Sequence, residues 1–99
     1  MLNINISKED AKVSAVLEGR LDTVTSPDLE KELDAVLEGA EELVLDFEKL
    51  EYISSAGLRV LLANQKRMNK QGSMKLVNVN DTIMGIFEVT GFSEILTIE

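Results

Sequence analysis

Leu50-Glu51-Tyr52-Ile53-Ser54-Ser55-Ala56-Gly57-Leu58-Arg59-Val60-Leu61-Leu62 sets two serines, an alanine and a glycine where a strand-following loop turns into an apolar helix. Residues at a helix start lie beside backbone N–H groups that lack intrahelical partners, and beside the positive end of the helix dipole. Such a spot stabilises negative charge, phosphate included. A serine there either caps its own helix or receives a phosphoryl group from a kinase. At this point the residues leave both readings open.

Downstream, the spacing predicts a helix from about Ser55 to Gln71. Leu58, Leu61, Leu62, Gln65 and Met68 form its inner stripe, and Ala56 and Ala63 allow close packing. Lys66, Arg67 and Lys70 suit the negative end of its dipole, and Gly72 follows as a stop. Upstream, Leu43-Val44-Leu45-Asp46-Phe47 has the length and apolarity of a central strand covered on both faces, with Glu48 to Ile53 as the connection.

Before that strand, Ser26-Pro27 reads as an N-cap followed by proline at the first helical position. Leu29, Leu33, Val36 and Leu37 share one helical face, acids cover the rest, and Gly39 ends the helix. At the amino-terminal side, Leu2, Ile4 and Ile6 alternate with polar residues, as do Val13, Ala15 and Leu17. With Lys8 to Ala11 as a turn, these predict a hairpin. Gly19 breaks the pattern and opens a loop from Arg20 to Thr25. Beyond the long helix, Lys75 to Val79 reads as a strand, and Asn80 or Asp81 caps a third helix holding Ile83, Ile86 and Phe87. Gly91 stops it, and Ile95, Leu96 and Ile98 predict a short last extended piece. The expectation is one α/β domain over residues 1–99. Its N-terminal hairpin is followed by alternating β and α elements, with a mixed four- to five-stranded sheet, three to four helices and right-handed crossovers.

Composition narrows the chemistry. The 99 residues carry a net charge of −8, which disfavours direct nucleic-acid binding and anionic membrane surfaces and favours a basic partner. No apolar run approaches the roughly 18 residues of a membrane span, and Met1 to Asp10 lacks the pattern of a signal peptide. Without Cys there are no disulfides or thiolate chemistry, which is compatible with a cytoplasmic setting. Without His there is no imidazole base and no Ser-His-Asp triad. Asp22, Asp46, Glu48 and Glu51 could gather at one end of the sheet, yet acids are most often solvated surface. No phosphate loop or dinucleotide glycine pattern is present. A binding protein without cofactor or metal is therefore expected over an enzyme.

Functional residues of open α/β sheets gather beyond the carboxyl ends of the strands. Two loops lead there. One follows Leu17 and carries Asp22, Thr23 and Thr25; the other is the Ser54–Leu58 turn. Together they predict one surface patch, with Gly57 letting a partner approach closely.

Gly19-Arg20-Leu21-Asp22, Thr25-Ser26-Pro27, Leu45-Asp46-Phe47 and Tyr52-Ile53-Ser54-Ser55-Ala56-Gly57-Leu58 resemble the STAS family, and within it the bacterial anti-sigma factor antagonists. The resemblance implies a partner-switching protein. It would bind an anti-sigma factor that is also a serine kinase of the histidine-kinase-like ATPase type, and so free a sigma factor. Phosphorylation of one serine breaks that complex, and a metal-dependent PP2C-type phosphatase restores it. By resemblance the target serine is Ser55, with Ser54 as alternative, and the family's acidic loop residue is Asp22. The implied partner-binding set is Asp22, Thr23, Thr25, Ser54, Gly57, Leu58 and Arg59. Many members carry Asp before the target serine, where this chain has Ser54, and Ala56 replaces a frequent Ser or Thr. Other STAS domains serve transport or stress assemblies without phosphorylation, which is the alternative role.

Overall fold

The computed structural model describes residues 1–99. Strand β1 (Leu2–Glu9) turns at Asp10 and Ala11 into the antiparallel β2 (Lys12–Leu21). Helix α1 (Ser26–Val36), strand β3 (Glu42–Ile53), helix α2 (Ser55–Gln71), strand β4 (Ser73–Val77) and helix α3 (Asp81–Thr90) follow, in the expected order. The sheet runs β1-β2-β3-β4, with β3 parallel to both β2 and β4. The terminal segment contributes a short 3-10 turn at Phe92–Glu94 and a single bridge from Ile98 to Leu76, not a fifth strand.

Both crossovers step the same way across the sheet, so right-handedness places α1 and α2 on one face. Alternate strand residues point there: Val13, Ala15 and Leu17, then Leu43, Leu45 and Phe47, then Met74 and Leu76. They meet Leu29, Leu33 and Leu37 from the α1 segment, Leu58, Leu61 and Met68 from α2, and Ile83 and Phe87 from α3. Burial of each such large side chain contributes about 2 kcal/mol. The opposite parity, with Ser14, Val16, Val44, Asp46, Lys75 and Val77, lies outside the buried core, half-buried or exposed. The expectation that β3 is covered on both faces is therefore corrected. An apolar run of that length arises equally from a half-covered strand whose one outer valine, Val44, stays partly exposed.

The two middle strands are longer than their patterns show. β2 passes through Gly19, which takes φ +108° where a side chain would collide with the Met1 carbonyl. β3 continues beyond Phe47 to Ile53, so Glu48 to Ile53 is strand and not connection. The register shifts twice here, between Val16 and Glu18 and between Gly19 and Arg20. Glu48 and Lys49 are consecutive exposed residues, and Leu50 and Ile53 are buried three apart, which hides the two-residue period. Asn80 holds this irregular stretch. Its Nδ2 lies 2.9–3.3 Å from the carbonyls of Phe47, Glu48 and Leu50, while its Oδ1 caps α3 by accepting the Ile83 N–H at 3.0 Å. Asn80, not Asp81, is thus the cap. β4 begins and ends two residues earlier than its apolar pattern predicts. On α2 the expected stripe is buried apart from half-buried Leu62, joined by buried Asn64, while Ala63 is exposed.

Candidate functional site

The last residue pair of β2 and β3, Leu21 and Ile53, brings the two candidate loops together. One backbone bond joins them: the Ser54 N–H donates to the Leu21 carbonyl at 2.9 Å. From this seam α1 and α2 both depart.

The Asp22–Thr25 loop is closed by its own polar groups. Asp22 Oδ1 accepts the N–H groups of Val24 and Thr25, each at 3.0 Å. The Thr25 hydroxyl accepts the Asp22 N–H at 2.8 Å and donates to the Arg20 carbonyl at 2.8 Å. Thr25, not Ser26, occupies the cap position, and its side chain makes no cap bond. Ser26 lies inside the helix, where its N–H and hydroxyl both donate to the Asp22 carbonyl. The sequence misplaces this cap by one residue because the anchoring oxygen comes from four positions upstream. The Thr25 N–H beside the Asp22 carboxyl holds its pKa below the ordinary value; partial burial works the other way, and the Val24 N–H and Thr25 hydroxyl add to the lowering.

The Ser54 and Ser55 hydroxyls have different surroundings. Ser54 is the N-cap of α2, and its Oγ accepts the Gly57 N–H at 3.3 Å. Ser55 is the first residue of the helix, exposed, with no hydrogen bond to its hydroxyl from the rest of the chain. The first turn of α2 holds no acid. Gly57 is buried, and a Cβ there would lie 2.8 Å from Leu21 Cγ and 3.0 Å from the Leu21 carbonyl oxygen. The close approach that Gly57 permits is internal, between α2 and the end of β2, and not to a partner. Leu58, 7% exposed, belongs to the core.

Of the sequence-predicted residues, Thr23, Ser55 and Arg59 are exposed and Asp22 and Ser54 partly so. Thr25, Gly57 and Leu58 are buried and position the others. Beside them runs an open groove of about 400 Å³ between α1 and α2, lined by Thr23, Pro27, Glu30, Ala56, Arg59 and Ala63 among others. Arg20 is a member that the sequence did not reveal. Its guanidinium carbon stands 4.4 Å from the centre of the Tyr52 ring, and its Nε lies 3.8 Å from Asp22 Oδ2. The pair is cross-strand, Arg20 opposite Tyr52, and both fall in stretches whose pattern reads as loop.

The carboxylates that the sequence allows to gather, though surface is the commoner reading, are engaged in local structure at two of the four positions. Asp46 accepts the Glu48 N–H at 3.0 Å and the Asn78 amide at 2.9 Å, and Asp22 closes its own loop. No group of three or more acids is arranged to hold a metal ion. No helix is long and apolar enough to cross a membrane.

Comparison with known proteins bears on this geometry. A family model described as Mlab, STAS domain, matches residues 4–97. BtrV of Bordetella bronchiseptica, named as a candidate anti-sigma factor antagonist, is 34% identical over 98% of this chain and 85% of its own. Among solved structures, an anti-sigma factor antagonist from Mycobacterium paratuberculosis superposes with a TM-score of 0.87 at 23% identity. The match covers 99% of this chain and 85% of that one. The Bacillus cell fate determinant SpoIIAA, in its phosphorylated form, superposes with a TM-score of 0.76 at 17% identity over 98% of this chain and 91% of that one. These likenesses carry the same fold, a mixed four-stranded sheet with an N-terminal hairpin and three helices.

Proposed function

The chain belongs to the STAS domain family, and from that membership we propose that it is an anti-sigma factor antagonist switched off by phosphorylation of Ser55. The antagonists of this family are regulatory binding proteins and not enzymes. In this reading the unmodified face around Asp22, Thr23, Ser55 and Arg59 docks on an anti-sigma factor with serine kinase activity and thereby frees a sigma factor.

The observation that carries the reading is the division of roles between adjacent hydroxyls. Ser54 is committed to the helix cap, whereas Ser55 is exposed and uncommitted. In the transfer step, Ser55 Oγ attacks the γ-phosphorus of ATP held by the kinase. Its proton passes to a base on the kinase, and ADP leaves. The product adds about −1.5 to −2 charges at neutral pH. Within the chain, the N-terminus of α2 accommodates that charge, so the fold persists. SpoIIAA, which shares the fold, exists in a phosphorylated form. Across an interface the charge must be desolvated, and a penalty of about 2.7 kcal/mol already weakens binding about a hundredfold. A PP2C-type phosphatase would hydrolyse the monoester and restore docking.

The test is incubation with the cognate anti-sigma kinase and ATP, followed by mapping of the phosphopeptide. One phosphate on Ser55, abolished by Ser55→Ala, is expected. A label that survives this change and maps to Ser54 would reassign the switch, and no label at all would remove it. A second reading, a STAS adaptor of a transport or stress assembly that is never phosphorylated, is favoured by Ser54 standing where many of the resembled antagonists carry Asp. Full function of the Ser55→Asp chain in cells would select that reading.

A further inference from the structure

We propose that Arg59 is the counter-ion of phosphorylated Ser55, so that the modification closes a phosphate–guanidinium pair on the chain's own surface. The inference rests on the Ser55 switch and adds a residue to it. Ser55 and Arg59 are four apart in α2 and therefore neighbours on one face of the helix. Both are exposed. The acidic partner is N-terminal to the basic one, the orientation in which such a pair reinforces the helix dipole.

The three arginines differ in what already holds them. Arg20 is engaged by Asp22 and the Tyr52 ring, and Arg67 donates to Asp34 at 3.1 Å. Arg59 forms no ion pair, although Glu30 lines the same groove from α1. An uncommitted guanidinium one turn from an uncommitted hydroxyl has no counterpart elsewhere on α2, where Lys66 and Lys70 lie near the far end. A phosphate dianion at Ser55 outcompetes the Glu30 carboxylate on the other helix, because it is on the same helix as Arg59, carries more charge and offers three acceptor oxygens to a planar fork of donors. The pairing also explains how one modification changes a docking face twice. It adds an anion, and it draws the nearby free cation away from any carboxylate on the partner.

The experiment needs no kinase. Phosphoserine is installed at residue 55 by chemical ligation in the full chain, and its second ionisation is followed by phosphorus NMR. An isolated phosphoserine has a second pKa of about 6. In the wild-type background the value is expected below that, and Arg59→Gln is expected to raise it by about 0.3 unit or more, the size of an i,i+4 ion pair. Arg59→Lys should recover part of the depression, and Lys66→Gln, as a control for net charge, should leave the value where it was. An unchanged pKa in Arg59→Gln, or an equal rise in Lys66→Gln, would overturn the pairing. The outcome is separate from the switch itself: a chain that no kinase labels can still show the pair, and a labelled chain can lack it.

Discussion

Helices α1 and α2 start side by side on the seam between Leu21 and Ser54, yet their starts are built in opposite ways. At α1 the positive pole is already satisfied. The Asp22 carboxylate accepts two backbone N–H groups just ahead of the helix, its carbonyl accepts Ser26, and Asp28 adds a second acid in the first turn. At α2 the cap is a neutral hydroxyl, no acid lies in the first turn, and the next residue is another, exposed hydroxyl. One pole is occupied by fixed anions, and the other has been left room for one. On the proposed reading, a switch that adds negative charge acts at the second, where the charge would oppose a partner without opposing its own fold.

The contrast breaks most visibly through Ser55. Phosphate at this residue should weaken binding to the cognate anti-sigma factor about a hundredfold, with the melting temperature close to that of the unmodified chain. Ser55→Asp should act in the same direction and less strongly. Calorimetric titration checks it, and an unchanged dissociation constant for the phosphorylated chain would end the idea of an open pole.

Next in size is Gly57. A methyl group at that position must displace Leu21, whose Cγ would be 2.8 Å away, along with Ile53 Cγ2 at 3.0 Å. Gly57→Ala should cost about 2 kcal/mol, since overpacking at a rigid seam outweighs the better helix propensity of alanine. Urea denaturation with an unchanged or higher midpoint would show that the seam yields. A smaller loss is expected from Ser54→Ala, about 0.5–1 kcal/mol, because the 3.3 Å cap bond is a long one. A loss well above that range would mean that Ser54 does more than cap.

The readability of these features follows from how local their causes are. Helix α2 was legible to its ends, Ser55 and Gln71, because the capping serine and the stopping glycine sit beside it in the chain. The second half of β3 was not, because Leu50 and Ile53 are buried with helical spacing by a register shift that depends on β2. The start of α1 was misread by one residue for a related reason. Ser26-Pro27 has the composition of a cap, but the geometry is imposed by Asp22 across the loop. Gly57 reads in the sequence as a point of close approach, but that it faces Leu21 and Ile53 is set by the tertiary fold, since a single chain pattern does not say what lies across such a point. The two serines could not be separated in the sequence. Their difference is one hydrogen bond to Gly57, which exists only once α2 has formed.

The smallest expected effect sharpens the contrast through pH. The α1 start is capped by a group that titrates; the α2 start is not. The Asp22 carboxyl is held below its ordinary value near 3.8, foremost by the Thr25 N–H. Because the folded chain binds the proton less readily than the unfolded one, Asp22 contributes stability above its unfolded pKa of about 4, and that contribution fades as pH falls through the lower folded value. Asp22→Asn removes the charge and keeps an acceptor oxygen. The gap in melting temperature between the wild type and Asp22→Asn should therefore be present at pH 7 and shrink as pH falls below about 4. The gap between the wild type and Ser54→Ala should follow no such course, since neither side chain titrates there. If the first gap is flat with pH, the α1 start owes its order to the backbone and the Thr25 hydroxyl alone. The charge difference between the two helix poles would then rest on Asp28.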